Sequence, residues 1–262
     1  MRRLDGLGFG DGATPGGRRS LAPLVVLPLG LPLALAAWAA VAARIDDRAI
    51  VPAPLAVAAS ARAHADQLLY HGAATLQAVL LGFALGFGLA LLLGFGISRS
   101  RLAERALMPY LVASQAVPVI AIAPLLMLAL PDLALKVTVA ALTVFFPMLI
   151  NTVVGLKSVT TEQHDLMRLM SASRWQRLRF LELPAALPVL LAGLRVGITL
   201  SVIGAVVGEF VQPRRGLGVL ILQSRGVYNQ ALTFAALLGL ITLALALYGC
   251  AALLERLLLE GR

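Results

Sequence analysis

Apolar residues in this chain fall in long blocks, not in alternation. Read from charge to charge, uncharged runs cover Leu21–Ala43, Gly72–Ile97, Ala106–Pro131, Val137–Leu156 and Gly226–Leu254, the last turning strongly apolar near Leu232. A bilayer core about 30 Å thick is crossed by roughly 20 apolar helical residues, so each run predicts one membrane-spanning helix. A further run, Leu187 to about Val211, is interrupted by Arg195 and carries Glu209 near its end. Because an arginine near a helix end reaches the headgroups through its long stem, this run predicts a sixth span. The pattern describes an all-α polytopic membrane protein with about six transmembrane helices. A tail covers residues 1–20, a first span 21–43 and a core of five spans 72–256, with a long polar loop at 157–184.

Composition supports this picture. Of the 262 residues, 60% are hydrophobic and only 13% charged, against about 25% charged in a soluble domain. The net charge of +9 would suggest nucleic acid in a soluble protein. Here the basic residues lie between spans, where they report topology, and no nucleic-acid partner is expected. With the amino terminus in the cytoplasm, 14 of the 22 Lys and Arg fall on the cytoplasmic side and seven outside, with Arg195 inside a span. Both termini are then cytoplasmic. The Gly- and Arg-rich tail reads as flexible. The run Leu21–Ala43 exceeds the apolar region of about 7–15 residues in a secretory signal, so a retained span is expected.

Several chemistries are absent. A Walker A loop needs Gly-Lys-Ser/Thr, and the two lysines, Lys136 and Lys157, each follow a leucine. His64, His71 and His164 lie outside the runs and no two have metal-ligand spacing; no Gly-x-Ser-x-Gly elbow is present. Cys250 stands alone in an apolar run and reads as packing. Proton-coupled carriers place ionisable groups within their spans, and only Arg195 and Glu209 qualify, both near span ends.

The loop at 157–184 is amphipathic in two pieces. Leu166, Met167, Leu169 and Met170 recur at helical spacing beside Asp165 and Arg168. Ser173 is placed to cap a second short helix containing Trp175, Leu178 and Leu181, and Pro184 and Pro188 are expected to stop one helix and open the next. Such a pair suits insertion into a partner's groove; an interfacial helix lying on the headgroups fits the same composition.

The run DLMRLMSASRWQ from Asp165 to Gln176, followed by LPAALPVLLAGLR from Leu183 to Arg195, resembles the EAA loop of membrane subunits of binding-protein-dependent ABC importers. It is similar in particular to the nitrate/sulfonate/taurine class. Val51–Val57, Ser98–Pro109, Pro118–Leu125, Phe145–Thr152, Gly208–Gln212 and Gly216–Gly218 match that class in order. Departures occur where the family has Glu-Ala-Ala and this chain has Asp165, Leu166 and Met167, and where its turn glycine is replaced by Ser171.

The resemblance implies a permease subunit of an ATP-driven importer of the inner membrane, without enzymatic activity of its own. It implies a second copy of the chain, two ABC ATPase subunits that bind ATP and Mg, and an extracytoplasmic substrate-binding protein. Asp165, Leu166, Met167, Met170, Ser171, Arg174 and Trp175 are then expected at the ATPase contact. The class carries small oxyanions or pyrimidine and flavin-type vitamin precursors. An ATP-independent carrier or channel is the alternative.

Pathway residues are less legible. Glu209 is expected near the outer end of the pathway, or paired with Arg214 or Arg215 as a gate; a hydrated site at the headgroup boundary is the other reading. Arg195 is expected to hold its span through headgroups or the loop. Thr75, Gln77, Ser114, Gln115, Asn151, Thr199 and Ser201 are polar positions in apolar runs, Gln115 being favoured by its closeness to Pro118. Gly82, Gly86, Gly88, Gly94 and Gly96 are read as helix-packing positions.

Overall fold

The computed structural model describes residues 22–45 and 50–260; the tail expected over 1–20 lies outside them. The described elements are all helical. In order they are α1 Ala22–Ile45, α2 Pro54–Ala63, α3 Ala65–Ser98, α4 Arg101–Ser114, α5 Val119–Met127, α6 Asp132–Leu156, α7 Thr161–Leu169, α8 Arg174–Arg177, α9 Leu183–Val211, α10 Leu217–Gly226 and α11 Gln230–Glu260. A π turn over Leu178–Glu182 joins α8 to α9.

Four helices are long and apolar enough to cross a bilayer: α3, α6, the continuous run Arg174–Val211, and α11. The pair α4 and α5, bent by 84°, has the length and composition of a fifth span when taken together, in the form of a broken span or a re-entrant loop. The 24 residues of α1 extend about 36 Å at 1.5 Å per residue, and its Trp38 ring stacks on Phe234 of α11 at 5.9 Å. The core is longer at both ends than the apolar runs indicate, since α3 starts at Ala65 and α11 continues to Glu260.

Two expectations are corrected by proline chemistry. Ala106–Pro131 is not one straight span, because Pro118 has no N–H to donate and disfavours helical backbone at Val117; α4 ends at Ser114 and α5 restarts at Val119. Conversely, Pro184 does not stop a helix. Its missing N–H and its ring would disrupt a four-residue hydrogen-bond ladder, and the chain widens one turn instead: Leu183 N–H donates to Leu178 O, five residues back. Helix α9 then continues through Pro188.

The core is a trio of α3, α6 and α9, brought to close approach by small residues, as expected where lipid supplies no hydrophobic drive between helices. A Cβ at Gly94 would come 2.7 Å from Thr152 Cβ on α6, and one at Gly208 of α9 would come 2.9 Å from Lys136 Cα. Gly82 and Gly86 also lie against α6, whereas Gly88 and Gly96 face open space, so only three of the five predicted packing glycines serve contacts within this chain. Cys250 is exposed rather than packed. Large exposed apolar residues such as Leu92, Leu245 and Leu257 cover the outside of the bundle, as a hydrocarbon solvent allows.

Candidate functional site

Two sites stand out, at opposite ends of α9. The first is the elbow formed by α7, α8 and the turn between them. Thr160 opens α7 with a reciprocal cap: Gln163 N–H donates to Thr160 Oγ1 at 3.4 Å and Thr160 N–H to Gln163 Oε1 at 3.0 Å. Ser173 repeats the device for α8, receiving Gln176 N–H at 3.2 Å and donating to Gln176 Oε1 at 2.7 Å. Between them, Ala172 N–H donates to Met167 O and Ser171 N–H to Arg168 O. This is the paired closure of a Schellman motif, which calls for a left-handed residue, and Ser171 takes that place at φ 54°. Replacing the usual glycine by serine thus leaves the turn intact.

The elbow is capped at both of its helices yet exposed. Neither α7 nor α8 has a buried residue. Leu169, Met170 and Trp175 are 84, 70 and 65% exposed, and Leu166 is exposed too. Asp165 and Arg168 pair at 2.9 Å on the helix surface, a contact of little stability value when this exposed. Met167 is half-buried and Arg174 exposed. Seven predicted residues therefore lie on one short, doubly capped protrusion. Its root is tied to the bundle by Arg99–Glu182 at 2.7 Å, by Lys157 paired with Glu104, and by Ser158 Oγ donating to Gly155 O.

The second site surrounds Glu209, which is fully buried. Thr75 Oγ1 of α3 donates to Glu209 Oε1 at 2.7 Å, and Gly218 N–H in the first turn of α10 donates to Oε2 at 2.7 Å. Thr75 Oγ1 also accepts Leu217 N–H at 2.8 Å. His71 Nδ1 lies 3.1 Å from Gly216 N and 2.9 Å from Gly216 O. Lys136, 3% exposed, donates to Arg215 O at 2.7 Å and pairs with Asp132 at 2.6 Å. Side chains from α3, α6 and α9 thereby clamp one backbone segment at the start of α10. Gly216, at φ 131°, has space only without a Cβ, which would overlap the Glu209 carboxylate. The carboxylate supplies α10 with a cap from another helix and complements its positive amino-terminal end.

This corrects two of the readings of Glu209, the arginine pairing and the hydrated site. It neither pairs with Arg214 or Arg215, both exposed, nor sits hydrated at a boundary. Thr75 likewise belongs to the clamp and Ser201 is buried, bonding Ile198 O at 2.7 Å. Arg195 pairs with Glu255 of α11 at 2.6 Å, a partner on another span that the sequence reading did not name. Gln115 is exposed at the α4–α5 break, while Asn151 is half-buried where α6 faces Gly193 of α9. Gln115, Asn151 and Glu209 are thus three separate places. His71 and Lys136 join the site without having stood out in the sequence. The clamp joins positions up to 145 residues apart, and no local pattern marks them; only the ordered Gly208–Gln212 and Gly216–Gly218 matches pointed to the region. Among the described residues no group of three His, Cys, Asp or Glu has metal-binding geometry.

Comparison with known proteins places this architecture. The chain is 46% identical over 242 residues to the riboflavin transport system permease protein RibX of Chloroflexus aurantiacus, covering 91% of this chain and 90% of that protein. It is 34% identical to the formylaminopyrimidine transport permease protein ThiX of Halalkalibacterium halodurans, covering 86 and 91%. It is also 32% identical to the putative aliphatic sulfonates transport permease protein SsuC of Bacillus subtilis, covering 75 and 71%. Residues 78–260, from the middle of α3 to the end of α11, match the binding-protein-dependent transport system inner membrane components. The chain belongs to that family: it is a multi-pass transmembrane permease subunit of an ABC importer, working with a separate ATPase and a substrate-binding protein.

Proposed function

We propose that this permease admits a flavin-class solute, riboflavin or a close analogue, delivered by its external binding protein. The observation that carries the proposal is the similarity to the riboflavin permease along 91% of the chain. The similarity to the formylaminopyrimidine permease keeps a heteroaromatic vitamin precursor as the second cargo. Two copies of the chain frame the pathway, and two ATPase subunits, carrying ATP and Mg, dock on the elbow. The elbow faces the cytoplasm together with both chain termini, as the distribution of Lys and Arg suggests.

Asp165, Leu166, Met167, Met170, Ser171, Arg174 and Trp175 form the coupling surface in this reading. An exposed apolar cluster on rigid helices is unfavourable in water and becomes useful once a partner's groove covers it. ATP-driven closure of the ATPase pair then moves the elbow, and the continuous run Arg174–Val211 carries that movement into the core. Gln115, at a backbone break that needs protein or water beside it, is the best-placed pathway residue; Asn151 contributes where α6 meets α9.

The test is uptake into vesicles containing the permease, its ATPase and its binding protein. Labelled riboflavin should accumulate with ATP and stop with vanadate, while formylaminopyrimidine and nitrate accumulate less. Preferential uptake of either competitor would replace the proposed cargo.

A further inference from the structure

A cavity of about 360 Å³ opens beside the elbow, lined by Arg99, Arg174, Arg177 and Glu182. Three cations there face one carboxylate. Glu182 is committed to Arg99, at 2.7 Å, and the Arg99 guanidinium also lies over the Phe95 ring, 4.4 Å from its centroid. Arg174 and Arg177 have no carboxylate partner among the described residues. They stand three positions apart on α8, where side chains share a helix face. Glu182 is buried and Arg174 exposed, so the cavity runs from the bundle out to the elbow surface.

The Arg177 Nε–H is buried and has no acceptor among the described residues. A buried donor left unpaired is costly, and more so on a charged group. Arginine presents Nε–H and a terminal N–H side by side, a geometry that takes both oxygens of one carboxylate. The carboxylates nearest in the structure are engaged elsewhere: Asp165 with Arg168, Glu104 with Lys157 and Glu182 with Arg99, while Glu162 lies in the first turn of α7. Over residues 157–184, five Lys and Arg stand against three Asp and Glu. The elbow as a whole therefore complements an acidic surface.

We propose that this cavity receives a carboxylate of the docked ATPase, an Asp or Glu side chain that lies between Arg174 and Arg177 and pairs with the Arg177 fork. The proposal rests on the ATPase docking at the elbow and adds the chemistry of that contact. Leu169, Met170 and Trp175 supply apolar area, and the charge pair sets the register in which the two surfaces meet. Arg177 stands where α8 enters the π turn, so a pull on the bound carboxylate acts directly on the continuous run Arg174–Val211. Every lining residue is charged, which leaves no apolar wall for an acyl chain. A free anion would satisfy the same donors, and the test separates it from the ATPase side chain.

The test measures the affinity of the ATPase for the full-length permease in mild detergent, over a range of salt. Arg174→Gln/Arg177→Gln should weaken binding roughly 10- to 100-fold, the strength of a charge-assisted pair, and flatten its salt dependence. Arg179→Gln, which removes an exposed cation outside the cavity, should change affinity by no more than about twofold. If the double variant does not fold, Arg177→Lys decides the question. Treated with a carbodiimide, its complex should give an amide cross-link from position 177 to an Asp or Glu of the ATPase. Unchanged affinity in the double variant, an equal loss in Arg179→Gln, or no ATPase carboxylate joined to position 177 would overturn the proposal. So would inorganic phosphate raising the melting temperature of the unaltered permease while ATPase affinity ignores the substitutions, the behaviour of a free-anion site. An ATPase that does not bind the unaltered permease at all would remove the docking reading itself.

Discussion

A carboxylate enclosed by helices needs donors on its oxygens, and Glu209 receives one on each, from Thr75 and Gly218. Glu209→Ala strands both donors in a dry interior, at about 1–3 kcal/mol for each group left unsatisfied. The variant should unfold at a clearly lower temperature in detergent, with Glu209→Gln, which keeps one acceptor, in between. Equal melting of all three would mean the clamp contributes nothing. Ser171 poses the opposite case. A serine at φ 54° is held where glycine is free of strain, so Ser171→Gly should stabilise the elbow by about 0.5–1 kcal/mol. Slower amide exchange across α7, with the ATPase still bound, would verify it.

At the scale of elements, the packing of α3 on α6 depends on which glycines face inward. Gly94 touches Thr152, whereas Gly88, also on α3, meets nothing. Gly94→Leu should therefore cost at least the 1–3 kcal/mol typical of overpacking and reduce the yield of folded permease. Gly88→Leu should be tolerated as one more lipid-facing apolar side chain. Comparable losses from both would contradict the assigned helix faces. The π turn at Leu178–Glu182 is a second feature of this scale: it lets α8 run into α9 despite Pro184, making lever and span one continuous body.

At the scale of the whole molecule, the elbow is the exposed end of that body and the clamp its buried far end. Deleting Leu166–Trp175 should abolish copurification of the ATPase and ATP-dependent uptake while the chain still inserts. Retained copurification would remove the proposed coupling surface.

Much of this was legible in the residue order, because local rules govern it. The length of an apolar run sets whether it can cross a bilayer, and Ser173 capping depends on residues three positions apart. The α4–α5 break and the passage through Pro184 were misjudged for a shared reason: proline removes a donor in both places, and its surroundings decide whether the helix ends or widens. The Glu209 clamp was hidden because its partners meet only after α3, α6 and α9 have packed, bringing together groups 134 residues apart.

The sequence by itself determined the membrane class, the apolar blocks that become the long helices and the amphipathic elbow, since these follow from periodicity, length and neighbouring side chains. Tertiary structure alone decided which polar groups are buried, which glycines face a neighbour, and that Glu209 anchors α10 instead of reaching solvent. Burial and hydrogen bonding depend on what arrives from elsewhere in the chain.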